Sequence, residues 1–344
     1  MSISYKSRKR LKRLATVLIV LLAVALVCYG AWVLWAGRYI LYTREGVALD
    51  MTMSDTLPIG TPAQLPETDE TLNIIYCEPL SQEDGSSPSV VQTSINGYYI
   101  STTALEEDIA SLRFQLDPLP AGTAIMLDMK NIRGEFYYHS SVGSKTDKDI
   151  DPEQINQLLE FLHSKDFYVI ARIPAFRDRE YGLNHVPHGL AKKGGNGSLW
   201  MDDQGCYWLD PTSDGALGYL AQQLMELKGM GFDEVVFTEF CFPNTDKIVF
   251  DDDRSLALKE AAAQLAGACA TDHFFVSFAV SDPTFSIPDG NSRIYLEGIA
   301  AAEIPQILGQ VTVSKPEIQL MFLTDVNDTR FNDYCVLRPL ESAH

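Results

Sequence analysis

Single carboxylates stand at the ends of several apolar segments, and these side chains are the best placed to do chemistry. Glu239 closes the segment "EVVFTE", and similar positions are held by Asp128 in "TAIMLDMK", Asp282 after "FFVSFAV" and Asp325 in "IQLMFLTDV". A carboxylate is costly inside an apolar segment unless it is paired or has a function. Two carboxylates across a cleft, one as acid and one as base or nucleophile, are what glycoside cleavage requires. A ring of salt bridges is the structural alternative.

Two cations occupy the same kind of position. Lys130 follows Asp128 by two residues, so the alternation of a strand puts both side chains on one face. They could form an ion pair there, in which Lys130 orients the carboxylate. Arg172 lies in the next apolar segment, "FYVIARIPAF", and is a candidate for holding substrate oxygens.

The long connection from residue 177 to 213 adds aromatic side chains to this set. Trp200 and Trp208 lie there together with Asp210. Tryptophans flanked by carboxylates can hold sugar rings, because the apolar face of a pyranose stacks on an indole ring. The other interpretation is that the tryptophans pin a long loop onto the protein.

The elements that must position these residues alternate between strand and helix. Eight segments are typical of strands: 98–105, 123–130, 167–176, 234–240, 274–280, 293–299, 309–314 and 318–326. Helical patterns separate most of them, which indicates right-handed crossovers and a parallel sheet. The pattern predicts an α/β fold, a (β/α)8 TIM-like barrel that is irregular in its last third. A barrel gathers the strand-end residues at one mouth. A doubly wound open sheet is disfavoured, because no glycine-rich phosphate loop follows the first strand.

The N-terminal region differs from the rest of the chain. Six cations lie within residues 1–13, and an uncharged apolar segment follows at 14–37. This segment is long enough to cross a membrane, and the positive-inside rule would place the basic residues in the cytoplasm. We therefore expect a cytoplasmic basic tail (1–13), a transmembrane anchor (14–37), an extracellular linker (38–96) and a barrel (97–344). A single anchor with a large external domain is typical of a bacterial surface protein. A cleaved signal peptide is the alternative.

Charge and ligand types exclude several classes of function. The part of the chain after residue 13 carries 21 Lys and Arg against 46 Asp and Glu, which argues against a nucleic-acid partner. His185 and His188 have H-x-x-H spacing, but no third ligand lies near them in sequence. We therefore expect no metal, and hydrolysis needs no cofactor. The cysteines have no C-x-x-C spacing and favour buried free thiols.

Five segments carry a resemblance to a known family. They are "GYYIS", "IMLDMKNIRGEFYY", "YVIARIPAFRDREYGLNH", "SLWMDDQGCYWLDPTS" and "GFDEVVFTEFCFP". Their order and spacing resemble the putative glycosyl hydrolase domain of bacterial surface and lipoprotein-like proteins, over roughly residues 97–245. The resemblance implies a TIM barrel and a carbohydrate substrate.

Three positions depart from the pattern of that family. Asn131 stands where the family's second strand has an aspartate. In the fourth strand Thr238 stands at an expected aspartate and Cys241 at an expected arginine, while an acid appears one place later at Glu239. A shift of one residue turns a side chain to the other face of a strand. Glu239 can therefore replace the missing aspartate only if a bulge or the end of the strand redirects it.

The expected function is a membrane-anchored, extracellular glycoside hydrolase-like protein that cleaves a polysaccharide or cell-wall glycan. Glu239 would be the general acid and Asp128 the base or nucleophile, with Asp282 or Asp325 as substitutes. Substrate would be bound by further side chains: Lys130, Arg172, Trp200, Trp208 and Asp210. The alternative is a catalytically inactive barrel that binds a glycan or a protein at the cell surface.

Overall fold

The protein divides into two compact units, residues 1–83 and 84–344. The computed structural model describes residues 40–43, 46–49, 94–107, 109–271, 273–288 and 290–340. In the first unit, strands Ile40–Thr43 and Gly46–Leu49 pair in antiparallel fashion. The expected anchor at 14–37 and most of the expected linker lie outside the described residues. Among the described residues, no helix has the length and apolar character needed to cross a membrane.

The second unit contains a closed barrel of eight parallel strands, as the alternating pattern predicted. In chain order they are β1 Asn96–Ile100, β2 Ala124–Asp128, β3 Tyr168–Pro174, β4 Glu234–Thr238, β5 Phe275–Ala279, β6 Ile294–Glu297, β7 Leu320–Leu323 and β8 Cys335–Pro339. Each strand pairs with the next, and β8 pairs with β1 to close the ring. Closure removes the exposed edges that an open sheet would have.

Helices cover the outside of the barrel. They are α1 Thr102–Glu107, α2 Ile109–Leu116, α3 Pro152–Ser164, α4 Arg179–Asn184, α5 Asp214–Gly229, α6 Arg254–Cys269, α7 Ile304–Leu308 and α8 Pro316–Gln319. The long helices begin at side-chain caps: Asp151 accepts from the backbone N–H of Glu153 at α3, and Ser213 caps α5. No helix lies between β5 and β6 in the part of that connection that the structure describes, which fits the predicted irregularity.

The inside of the barrel is closed below the mouth by apolar side chains. Met126, Ile170, Val236 and Met321 meet there, from strands β2, β3, β4 and β7. Because side chains alternate along a strand, the residue two places further along each of the first three strands also faces inward. Those positions are Asp128, Arg172 and Thr238, which the fold therefore brings to the mouth.

The last two strands differ from the prediction. Segment 309–314 is not a strand, and the eighth strand is Cys335–Pro339 instead. The alternation that suggested a strand at 309–314 comes from Val311 and Val313, which pack against the cluster under β6, β7 and β8 without joining the sheet. The true eighth strand has only three apolar residues before Arg338, too few to stand out by periodicity.

Candidate active site

A cavity of about 540 Å³ opens at the carboxyl ends of the strands. It is lined by the ends of β2 to β6 and the loops that follow them. Its polar and charged lining residues are Thr102, Asp128, Lys130, Asn131, Tyr137, Arg172, Thr238, Glu239, Ser281, Tyr295 and Glu297. Two of the predicted catalytic carboxylates, Asp128 and Glu239, therefore share this cavity.

Asp128 is held in one orientation by four hydrogen bonds. The Nε and Nη2 atoms of Arg172 donate to its two oxygens at 2.6 and 3.2 Å. The hydroxyls of Tyr99 and Thr102 each donate to Oδ2 at 2.9 Å. Burial raises the pKa of the Tyr99 hydroxyl, so this group keeps its proton and remains a donor. The carboxylate of Asp128 is thus fixed and paired with a cation, and the residue is 9% exposed.

Arg172 connects Asp128 to another carboxylate at the mouth. Its Nη1 donates to Oε1 of Glu297 at 3.1 Å, and its Nη2 donates to the Tyr99 hydroxyl at 2.6 Å. The guanidinium also lies over the Tyr99 ring, 4.3 Å from its centroid. The predicted contact of Arg172 with substrate therefore competes with two carboxylates that it already binds.

Lys130 does not pair with Asp128, and that part of the prediction is wrong. Its Nζ lies 2.6 Å from Oδ2 of Asp178, and both side chains are fully buried. The rings of Phe136 and Tyr219 lie 5.2 and 4.8 Å from the ammonium. Burial lowers the pKa of Lys130. Because β2 ends at Asp128, strict alternation does not extend to residue 130, and the side chain turns away from Asp128.

Glu239 is redirected into the cavity by the end of its strand. β4 ends at Thr238, and Glu239 adopts a φ of 50°, in the left-handed region that costs a non-glycine residue about 1 kcal/mol or more. This is the redirection that the one-residue shift required. The side chain is 30% exposed and accepts a hydrogen bond from Nη1 of Arg177 at 3.3 Å. Glu239 therefore lies beside a cation, not in the apolar surroundings that its strand suggested.

The tryptophans hold the long loop in place. Trp208 is only 6% exposed, and its indole N–H donates to Asp202 at 3.1 Å. Arg177 also donates to Asp202, at 2.7 Å. Trp200 is half-buried and packs against the core. Neither tryptophan is among the described residues that line the mouth cavity. Little of the Trp208 ring is therefore open to a sugar, and its stacking role stays a prediction.

Three predicted acids lie away from the mouth cavity. Asp282 is exposed, and the backbone N–H and hydroxyl of Thr284 donate to it and lower its pKa. Asp210 accepts the same two kinds of hydrogen bond from Thr212, in the turn before α5. Asp325 is exposed at the rim of a neighbouring cavity. Asp282 and Asp210 thus have turn-forming roles.

Glu297 is the carboxylate that sequence reasoning missed. It is the last residue of β6 and faces inward, since Tyr295 two places earlier lies in the barrel interior. Its side chain is 50% exposed. The signal was present in "RIYLEG", an acid that ends an apolar strand before a glycine. Because β6 has only four residues, its alternation is a weak signal for an inward-facing acid at its end.

Asn131 shows how the chain accommodates one departure from the family pattern. Its amide nitrogen donates to Glu135 at 2.9 Å and to Asp147 at 3.2 Å. An aspartate here would face these two carboxylates without a proton to donate. The amide therefore suits this site because it is the donor between two acids.

Metal binding has no support in the described part of the chain, where no group of three or more His, Cys, Asp or Glu could hold an ion. His188 instead lies within 2.8 Å of the Ser213 hydroxyl, and His185 stacks on Tyr181. Within the described ranges the cysteines are free: Cys206, Cys241, Cys269 and Cys335.

Comparison with known proteins assigns the chain to a family. A family model described as a "putative glycosyl hydrolase domain" matches residues 99–270, which is half of the chain. The chain belongs to this family. The match covers α1 to α6 and strands β2 to β4, and it begins within β1. The matched segment therefore contains Asp128, Arg172 and Glu239 of the mouth cavity.

Solved structures give more distant likenesses. A hypothetical protein from Ruminiclostridium thermocellum is 20% identical, with 53% of this chain and 96% of that chain covered, at a TM-score of 0.46. An alpha-galactosidase from Lactobacillus brevis is 11% identical, with 73% and 38% covered, at 0.49. A beta-N-acetylhexosaminidase from Bacteroides fragilis is 12% identical, with 64% and 48% covered, at 0.46. The present chain covers less than half of the length of either enzyme. The comparison with curated proteins gives no match.

Proposed function

We propose that this protein hydrolyses glycosidic bonds of a polysaccharide or cell-wall glycan at the mouth of the barrel. One observation carries the proposal: three carboxylates, Asp128, Glu239 and Glu297, come from the ends of β2, β4 and β6 and line a single cavity. Two such groups suffice for hydrolysis of a glycoside. Membership of the glycosyl hydrolase domain family supports the same reaction class.

Asp128 is the fixed anionic partner in this proposal. A nucleophile or base must point at its target when substrate arrives, and two nitrogens of Arg172 hold the two oxygens of this carboxylate in place. The hydroxyls of Tyr99 and Thr102 set the direction of the carboxylate oxygens. Asp128 then acts directly on the anomeric carbon or on the attacking water.

The second carboxyl group must donate a proton. Glu239 is the donor that the sequence predicted, and Glu297 is the alternative that the geometry adds. Glu297 and Asp128 each accept a hydrogen bond from the guanidinium of Arg172. Their carboxyl groups are therefore separated by no more than one guanidinium and two hydrogen bonds. That spacing lies below the upper limit of about 9.5 Å for carboxylate pairs in glycosidases.

The overall reaction is balanced without a cofactor. The bond between the anomeric carbon and the leaving oxygen breaks, and both electrons go to that oxygen. The donor carboxyl gives the oxygen a proton, and water supplies the hydroxyl that ends on the anomeric carbon. The second proton of the water returns to a carboxylate of the cavity, which restores the starting state.

The cellular setting that we propose rests on sequence alone. The apolar segment 14–37 would anchor the chain in the cell membrane, and the basic residues before it would hold the barrel on the outer side. A bacterial cell-surface location would bring the barrel to wall glycans or other external polysaccharides.

A second candidate function is a barrel that binds a glycan or a partner protein without cleaving it. The observation that favours it is the pairing of every carboxylate at the mouth: Asp128 and Glu297 with Arg172, and Glu239 with Arg177. The replacements at Thr238 and Cys241 point the same way, since both line the cavity where the family pattern has ionisable groups.

The test is to incubate the full chain with a panel of wall glycans and storage polysaccharides and to measure released reducing ends. The inactive reference is the triple variant Asp128→Asn, Glu239→Gln, Glu297→Gln. The control is the double variant Asp252→Asn, Glu260→Gln, which changes two exposed acids. Hydrolysis predicts release by the wild type and the control but not by the triple variant. Equal release from the triple variant would remove the proposed mechanism, and binding without release by the wild type would favour the second function.

A further inference from the structure

A second cavity lies beside the mouth cavity and shares its wall. It has a volume of about 560 Å³, and Arg172 and Glu297 line both cavities. The rest of its wall comes from Tyr99 on β1, the ends of β7 and β8 and the loop after β6. Most of it is aliphatic: Ile299, Ala300, Leu323, Val326, Leu337 and Pro339. The two cavities thus differ sharply, since the first is lined largely by charged and polar groups.

The boundary between the cavities is the ion pair of Arg172 with Glu297, at 3.1 Å. The half-exposed Glu297 reaches both spaces. Arg172 packs on the ring of Tyr99 and binds Asp128 on its other edge. A molecule that occupies both cavities would therefore have one of its bonds next to Glu297 and near Asp128.

The chemistry of the second cavity does not suit a sugar ring. A pyranose carries a hydroxyl on most of its carbons, and each buried hydroxyl without a partner costs about 1–3 kcal/mol. Two of the polar groups here are already engaged, since the Tyr99 hydroxyl donates to Asp128 and the Thr324 hydroxyl accepts from the backbone N–H of Val326. Asp325 lies at the exposed rim. An apolar group loses nothing in such a place and gains by leaving water.

We propose that the second cavity is the leaving-group subsite and that it takes an apolar aglycone, an aryl or alkyl group, rather than a further sugar. This inference rests on the proposed hydrolysis and narrows its substrate: of the bonds in a glycan, the one cleaved joins a terminal sugar, held in the mouth cavity, to an apolar group. The glycosidic oxygen then lies at the boundary, where Glu297 is the adjacent carboxyl group. Glu297 is therefore the proton donor to that oxygen, and Glu239 contacts the sugar.

The first test measures binding alone, so it does not depend on hydrolysis. The probe is 4-nitrophenol, followed by saturation-transfer difference NMR on the full chain. Val326→Asp places a charge in the second cavity, and its matched control is Val249→Asp, since the two valines are 49% and 48% exposed. We expect at least about a fivefold loss of transferred signal in Val326→Asp and no change in Val249→Asp. Equal signals in the two variants would overturn the subsite.

Among the described residues, a further cavity could also hold the aromatic probe, and a third variant tests it. A cavity of about 380 Å³ lies beside α6 and is lined in part by Leu256 and Phe285. Leu256→Asp charges that cavity. Loss of signal in Leu256→Asp with full signal in Val326→Asp would place the ring beside α6 and overturn the proposal.

The second test uses turnover. For a sugar that the glycan panel identifies, we compare the 4-nitrophenyl glycoside with the methyl glycoside. Val326→Asp should raise KM for the 4-nitrophenyl glycoside about tenfold, the effect of roughly 1.4 kcal/mol of lost contact, and change the methyl glycoside less than about twofold. Equal effects on both substrates would contradict an aglycone subsite. The binding test stays decisive if no hydrolysis is found, so the two proposals can fail separately.

The role of Glu297 has its own readout. Glu297→Gln should slow cleavage of the methyl glycoside by about 10²-fold or more, because its leaving group needs a proton. Cleavage of the 4-nitrophenyl glycoside should fall much less, because nitrophenolate leaves without one. The same selective loss in Glu239→Gln, with none in Glu297→Gln, would assign the donor to Glu239 and overturn this part of the inference.

Discussion

The buried pair of Lys130 and Asp178 gives the sharpest prediction about the fold that supports the site. Asp178→Asn removes one charge and one of the two oxygen acceptors while it keeps the shape of the side chain. Asparagine is as good a helix cap as aspartate, so the hydrogen bond from the backbone N–H of Tyr181 at the start of α4 is kept. The amide nitrogen then takes the place of Oδ2, so the Tyr219 hydroxyl, which donates to that oxygen at 3.0 Å, loses its acceptor, and so does the ammonium of Lys130.

The magnitude follows from the burial of both side chains. Breaking a fully buried ion pair by removing one partner costs about 3–5 kcal/mol, because the other charge is left without compensation. The rings of Phe136 and Tyr219 continue to face the ammonium and retain about 1 kcal/mol of its stabilisation. We therefore expect Asp178→Asn to lower the free energy of unfolding of the barrel by about 3 kcal/mol.

The assay is urea unfolding, followed by tryptophan fluorescence and circular dichroism at pH 7. Asp252→Asn is the matched control, since it is exposed and should change stability by less than about 0.5 kcal/mol. Lys130→Met combined with Asp178→Asn should recover more than about 1 kcal/mol of the loss, because no unpaired charge is then buried. A loss below about 1 kcal/mol in Asp178→Asn would refute the assignment of this pair as buried and charged.

Three further outcomes follow from contacts in and around the site. Burial and the neighbouring Glu226 raise the pKa of Tyr138 in the folded protein. The stabilisation that the neutral hydroxyl gives is complete below the unfolded-state pKa of about 10 and is lost as the pH rises above it. Tyr138→Phe should therefore flatten the fall in the free energy of unfolding between pH 9 and 11, and an unchanged slope would contradict this. Trp208→Phe removes the hydrogen bond to Asp202 and should cost about 1–2 kcal/mol in urea unfolding while glycan affinity stays the same; a selective loss of affinity would support the stacking role. Asn131→Asp should destabilise the barrel by about 1–2 kcal/mol at low ionic strength and less in about 1 M salt, where repulsion between charges is screened; equal losses at both salt concentrations would count against repulsion among acids.

The barrel was accessible from sequence because its signals are local. Apolar segments such as "FYVIARIP" and capped helices such as the one after Asp151 are set by residues close together in the chain. The same locality placed Asp128 and Arg172 at strand ends, and hence at the mouth. The last strand, Cys335–Pro339, was not predicted because it is short and because it pairs with β1, which lies at the other end of the barrel sequence.

The partners of the charged residues could not be found this way. Which cation meets Asp128 depends on the stagger of β2 against β3, which aligns Asp128 with Arg172, and no spacing within one segment contains that information. Lys130 turned to Asp178 because its strand had already ended. Glu239 needed a positive φ to reach the cavity, a conformation for which the sequence gives only the displaced acid as a hint.

The central claim is that the carboxylate of Asp128 takes part in breaking a glycosidic bond, and its most direct test is the initial rate of product release by Asp128→Asn. The glycan is the one that the panel identifies, the comparison is with the wild type at saturating substrate, and circular dichroism verifies folding of the variant. The account predicts a fall of about a thousandfold with a native spectrum. A folded Asp128→Asn chain that releases product at the wild-type rate would contradict it.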